Sequence, residues 1–245
     1  FALTTMGARD EARAAIASGI ALAQRIGSPG TIRHGQMILL CWSATFGVDR
    51  ELDRLLVEPR STAEAAIFGS WVPHDRATLG VLFYRGLELL ASDAPLAAQQ
   101  ARTLLRTAAH GYRATEMLDV VPVALGYLAA SELRTGNPEA ARDVAREAAT
   151  LLDEGSPSLL NEAPIYLALH EASLALGNAA EAREAILRGI PRLEKRLAGL
   201  AGTPYEYDFV TALRPNADLI AVATRYGELP ESIRALVARG RITMI

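Results

Sequence analysis

The residues able to do chemistry are few in this 245-residue chain, and they lie far apart. Histidine occurs at His34, His74, His110 and His170, with no His-Glu-x-x-His pair. A tetrahedral zinc site would have to draw each ligand from a separate helix. The single cysteine, Cys41, stands between Leu40 and Trp42, which suits a small buried hydrophobe better than a nucleophile. The single lysine, Lys195, stands in Leu-Glu-Lys-Arg on a helical stretch. A phosphate-cradling loop needs Gly-Lys-Ser/Thr, and a kinase core needs a strand Lys with an His-Arg-Asp segment; neither occurs. Gly-x-Gly-x-x-Gly and Gly-x-Ser-x-Gly are also missing. The sequence therefore predicts no enzyme: no catalytic residues, no cofactor and no metal.

The charge balance agrees. With 25 basic and 28 acidic residues the formal charge is −3, so no basic footprint for direct nucleic-acid binding is expected. All the basic residues but Lys195 are arginine, which we read as the codon usage of a GC-rich bacterial genome. The pairs Arg102/Arg106 and Arg192/Arg196, spaced i, i+4, are expected on solvated outer faces with Glu and Asp interspersed rather than as phosphate readers. No run of about 18 uncharged apolar residues is present, so no membrane span is predicted. A lone cysteine allows no internal disulfide, which predicts a cytoplasmic setting. The chain opens at Phe1 with no signal-like segment and reads as a piece of a longer polypeptide.

What could position any functional group is a repeat. Gly136-Asn137-Pro138-Glu139-Ala140-Ala141-Arg142 resembles Gly177-Asn178-Ala179-Ala180-Glu181-Ala182-Arg183 and Gly7-Ala8-Arg9-Asp10-Glu11-Ala12-Arg13. Ala follows each Gly at the fifth position. Ile16, Ala145 or Ile186 follows at the ninth, and Gly19, Ala148 or Gly189 at the twelfth. These positions share one helical face, where small side chains let a second helix approach closely. Weaker copies turn at Gly47 and Asp93, with Pro95 placed like Pro138 just inside a helix. The turns at 7, 47, 93, 136 and 177 fit antiparallel helix pairs of roughly 16 to 20 residues per helix.

Ala and Leu, both strong helix formers, make up about a third of the chain. The pattern predicts helices over 8–26, 31–46, 49–58, 61–71, 74–91, 94–111, 114–135, 138–153, 160–176, 179–199, 205–213, 216–227 and 230–239. Ser61 and Glu64 would form a capping box, and Trp42, Trp71 and Tyr84 would be interhelical core. Pro122, Pro164 and Pro191 should each mark a first turn or a kink.

The Gly…Ala pattern resembles tetratricopeptide repeats: Leu128-Ala129, Gly136, Ala141 and Ala148 in one copy, Leu169-His170, Gly177 and Ala182 in the next. His170 departs from the small residue of that motif, and the periods are longer than the family's usual 34 residues. Such long repeats are similar to those ending large bacterial signalling proteins, alongside an AAA/STAND ATPase with a LuxR-type regulator, a nucleotide cyclase or a serine/threonine kinase. The stretch 207–223 resembles a tail that follows the last repeat there. Phe209, Leu213, Asn216, Leu219 and Ala223 match it, and Pro215 is displaced by one.

The resemblance implies an all-α, right-handed superhelix of antiparallel helix pairs over 1–202, with capping helices over 203–245. It implies a non-catalytic scaffold or sensor that binds a protein or peptide, or another domain of its own polypeptide, and regulates an output domain. The alternative is a small-molecule effector-binding (inducer) domain. If the registers hold, the concave groove receives Met37, Cys41, Phe83, Leu87, Gly126, Ala130, Leu167 and Glu171. Those side chains either line a docking groove or pack against one another.

Overall fold

The computed structural model describes residues 2–27, 29–47, 49–54, 76–156, 158 and 160–242. Among them there is no strand, and the helices are α1 (Ala2–Thr5), α2 (Arg9–Ile26), α3 (Pro29–Phe46), α4 (Arg50–Arg54), α5 (Arg76–Leu90), α6 (Ala97–Ala114), α7 (Val121–Arg134), α8 (Pro138–Asp153), α9 (Ala163–Ala175), α10 (Ala179–Ala198), α11 (Glu206–Thr211), α12 (Arg214–Tyr226) and α13 (Glu231–Ile242). The fold is all-α. The helix predicted over 61–71, with the Ser61–Glu64 box, Trp71 and His74, lies outside the described residues.

Helices pack on their successors along the chain: α2 on α3, α3 on α5, then α5, α6, α7, α8, α9 and α10 each on the next. Additional contacts join α7 to α9, and α12 to both α9 and α10. The reason is visible at the turns. Gly7, Gly136, Gly177 and Gly227 all have positive φ, between 73° and 85°, a conformation that costs a glycine little and an L side chain more. Each closes its helix with the same pair of bonds, as where Gly136 N–H donates to Leu133 and Asn137 N–H to Glu132. Gly47 also has positive φ.

The turn near Asp93 is built differently. Pro95 precedes the helix instead of opening it, Leu96 takes the left-handed conformation, and α6 starts only at Ala97. The expected helix over 114–135 is likewise corrected. The chain leaves α6 after Ala114, passes through Glu116 at φ 57°, and re-enters helix at Val121 with Pro122 in the first turn. Pro164 also sits in a first turn, whereas Pro191 lies inside α10.

Small residues mark the closest crossings. A Cβ at Gly189 would lie 2.8 Å from the Tyr166 ring, at Gly126 2.6 Å from Ile165, and at Gly86 2.7 Å from Leu105. Ala141, Ala145 and Ala148 are completely buried on α8. The tail joins the same core: Phe209, Leu213, Leu219, Ala223 and Ile233 cluster with Ile186, Ile190 and Leu193.

Candidate functional site

The groove residues named from the sequence divide. Met37, Cys41 and Phe83 are buried together in the main core. Leu87 and Leu167 pack partly buried against it, Ala130 packs against a smaller cluster around Ala129 and Leu169, and Glu171 is exposed. Gly126 is buried in the α7–α9 crossing and does not face a groove.

Around Phe83 the sequence hides an aromatic cluster that α5, α6 and α7 assemble. Its ring meets Tyr84, Tyr112 and Tyr127 edge to face, with centroids 5.0, 6.2 and 5.8 Å apart. Burial pushes the Cys41 thiol up to about 11, against a smaller opposing effect of its hydrogen bond with Tyr84. Burial also raises the Tyr84 and Tyr127 hydroxyls. A thiol held protonated at neutral pH is a poor nucleophile, so this cluster is packing in character.

Each arginine pair meets a buried carboxylate. Arg106 donates to Glu132 at 2.5 Å and Arg102 at 3.4 Å, while Asn137 Nδ2 adds a bond at 3.2 Å. Glu132 is 4% exposed. On α10, Arg192 and Arg196 grip Glu162, each at 3.2 Å, and also donate to the carbonyls of Leu152 and Ser158. The acidic neighbours expected on these faces take the form of two carboxylate clasps, in which Arg106 stays exposed while Arg102, Arg192 and Arg196 are partly buried. Helical periodicity puts both arginines on one face, but only tertiary packing brings beneath them a glutamate from α7 or from the residue preceding α9.

Further arginines bind one helix pair to the next. Arg13 bonds Asp49 at 2.7 Å and also pairs with Glu51. Arg113 reaches Glu147, Arg146 reaches Glu181 at 2.5 Å, and Arg183 reaches Glu228. Arg13 and Arg183 both lie six residues past a turn glycine, and each meets a carboxylate just past another left-handed glycine, Gly47 or Gly227.

His170, which breaks the small-residue pattern, is 5% exposed. Its Nδ1 lies 3.0 Å from the Ala182 carbonyl, and its ring meets Tyr226 edge to face. His34 and His110 are exposed. Among the described residues no three His, Cys, Asp or Glu side chains are placed to hold a metal ion, and no helix is long and apolar enough to cross a membrane.

One open apolar cavity of about 170 Å³ lies between α1, α2 and α3, lined by Leu3, Ala15, Gly19, His34, Gly35 and Ile38 among others. Beside it on α2, Leu22 and Ile26 are 49% and 58% exposed. Sequence reasoning missed this site because the residues forming it were assigned to an ordinary helix-pair interior. The signal was Gly19, a small residue at the offset where its counterparts are covered. Comparison with known proteins gives no match, whether to a family, a curated protein or a solved structure.

Proposed function

We propose that this chain is a non-catalytic, tetratricopeptide-like scaffold or sensor module, a superhelix of helix pairs that binds protein and regulates an output domain of a larger bacterial signalling or transcriptional regulator. One observation carries the reading: the helix pairs turning at Gly7, Gly136 and Gly177 share a turn geometry and a buried alanine five residues later, and arginines such as Arg113 and Arg146 reach a carboxylate of the following pair. That regularity supports a stacked array whose unsatisfied faces recognise other polypeptide. The buried aromatic cluster and the protonated thiol favour packing over chemistry.

The cavity between α1, α2 and α3, about 170 Å³, is smaller than the roughly 300–1,000 Å³ that drug-sized ligands fill. The test is a thermal-shift screen of residues 1–245 against a metabolite library, run beside a two-hybrid assay against the domains encoded with it in the same polypeptide. Domain binding lost in Glu171→Arg, without metabolite shifts, supports the scaffold reading. A saturable metabolite shift without domain binding replaces it with the inducer reading.

A further inference from the structure

In an open stack of helix pairs each pair touches only its neighbours, so a disturbance at one end fades before it reaches the other. Here the circuit of contacts closes. It runs from α2 through α3 and α5 to α10, and from α10 to α11. There α11 meets the turn that joins α1 to α2: a Cβ on Gly7 would lie within 3 Å of the Asp208 backbone. Gly7 is buried, and Thr4 and Ala8 beside it are each 1% exposed.

Both sides of this contact are slight. α1 has four residues and α11 six. The Thr4 hydroxyl is buried with no hydrogen-bond partner among the described residues. An unpaired hydroxyl regains water when its cover lifts, so the closed arrangement carries a cost that opening returns. α11 has its own hold on the last helix pair: Phe209 and Val210 enter the core containing Ile186 and Ile190, and Asn216 of α12 bonds the Phe209 carbonyl. Short elements with few contacts open at lower free energy than the long helices between them.

We propose that α11 and the first turn form a latch between the two ends of the array. Displacing the tail loosens α1 and α2, and a partner that grips α1 and α2 in their closed arrangement holds the tail down, because coupling between two sites is reciprocal. The helices between, α6 to α8, are fixed by their own buried alanines and leucines and take no part. This coupling goes beyond the scaffold reading and holds whether the module binds protein or a small effector.

The experiment is amide hydrogen exchange on the full chain, read by mass spectrometry over 2–26, 97–153 and 203–226. Asn216→Ala removes the bond to Phe209 and loosens the tail. Exchange should then quicken by about tenfold over 203–226 and also over 2–26, with 97–153 unchanged. Gly7→Ala, made at the opposite end, should quicken the same two regions. Thr4→Val removes the unpaired hydroxyl while keeping the shape of the side chain, and should slow both by several-fold. A response confined to the mutated end in any of the three, or none at all, overturns the latch. Should Asn216→Ala or Gly7→Ala quicken 97–153 as well, the chain has loosened globally and Thr4→Val alone decides.

Discussion

Gly7 and Asp208 are in backbone contact, although nearly the whole chain separates them: a Cβ on Gly7 would lie 2.8 Å from the Asp208 carbonyl oxygen. The first turn therefore rests on α11, and Thr4 and Ala8 beside it are each 1% exposed. Gly7 is constrained twice, by a φ of +85° and by this neighbour. Gly136 and Gly177 share the positive φ but would carry a Cβ into open space.

Valine at 136 or 177 should cost about 1–2 kcal/mol, the penalty of a left-handed L residue. Gly7→Val should cost more, and Gly7→Ala should already exceed Gly136→Ala. Chemical denaturation of the five variants checks the order. Equal losses at 7 and 136 would mean the contact with Asp208 contributes nothing.

Glu132 is the buried end of a network, and removing it leaves Arg102 and Asn137 with their bonds to Thr135 but without a carboxylate. Glu132→Leu should destabilise by about 1–3 kcal/mol, less than for a wholly buried pair because the Arg106 side chain is 62% exposed and regains water. The exposed Arg214–Asp218 pair gives the contrast, at 86% and 55% side-chain exposure. Arg214→Ala should change stability by less than about 0.5 kcal/mol. Thermal unfolding of both variants decides whether the clasps hold the stack together.

Asn216 is fully buried and donates from Nδ2 to the Phe209 carbonyl at 2.7 Å, tying α11 to the start of α12. Asn216→Ala should cost about 1–2 kcal/mol and Asn216→Asp at least as much, since a carboxylate cannot donate this bond. Protease sensitivity within 203–213 should rise in both. Unchanged cleavage would place the tail's anchorage elsewhere.

The hydrogen bond from Arg146 holds the Glu181 carboxyl below its ordinary value of 4.5. Because its folded pKa is depressed, its contribution is fully present above that ordinary value and fades as pH falls below it. The pair is half in water, so about 0.5–1 kcal/mol is expected. Glu181→Gln should therefore destabilise at pH 7 and match the parent protein near pH 3. Denaturation at both pH values reads this directly.

Ending the chain at Gly202 removes Phe209, Leu213, Leu219 and Ile233 from the core they share with Ile186, Ile190 and Leu193. Each large side chain buried there contributes roughly 1.5–3 kcal/mol. The shortened protein should melt lower and self-associate in sedimentation. A monomer as heat-stable as the full chain would show that the tail is detachable.

The helices and most of their joints were legible in the sequence because they depend on local chemistry. Alanine and leucine favour helix, and a glycine five residues before a buried alanine marks a left-handed turn; α8 begins and ends where the pattern places it, at Pro138 and Asp153. Asp93 misled for the same reason: with no glycine there, the left-handed residue moved to Leu96 and Pro95 fell outside the helix. What tertiary structure decided is which side chains meet across distance. Nothing in Arg102-x-x-x-Arg106 says that Glu132 will lie beneath it, and nothing near Gly7 announces Asp208. The same holds for Gly19, whose type matches Gly189 while its surroundings do not. A residue's own chemistry sets the backbone it permits; whether it is covered depends on the helices that the rest of the chain brings beside it.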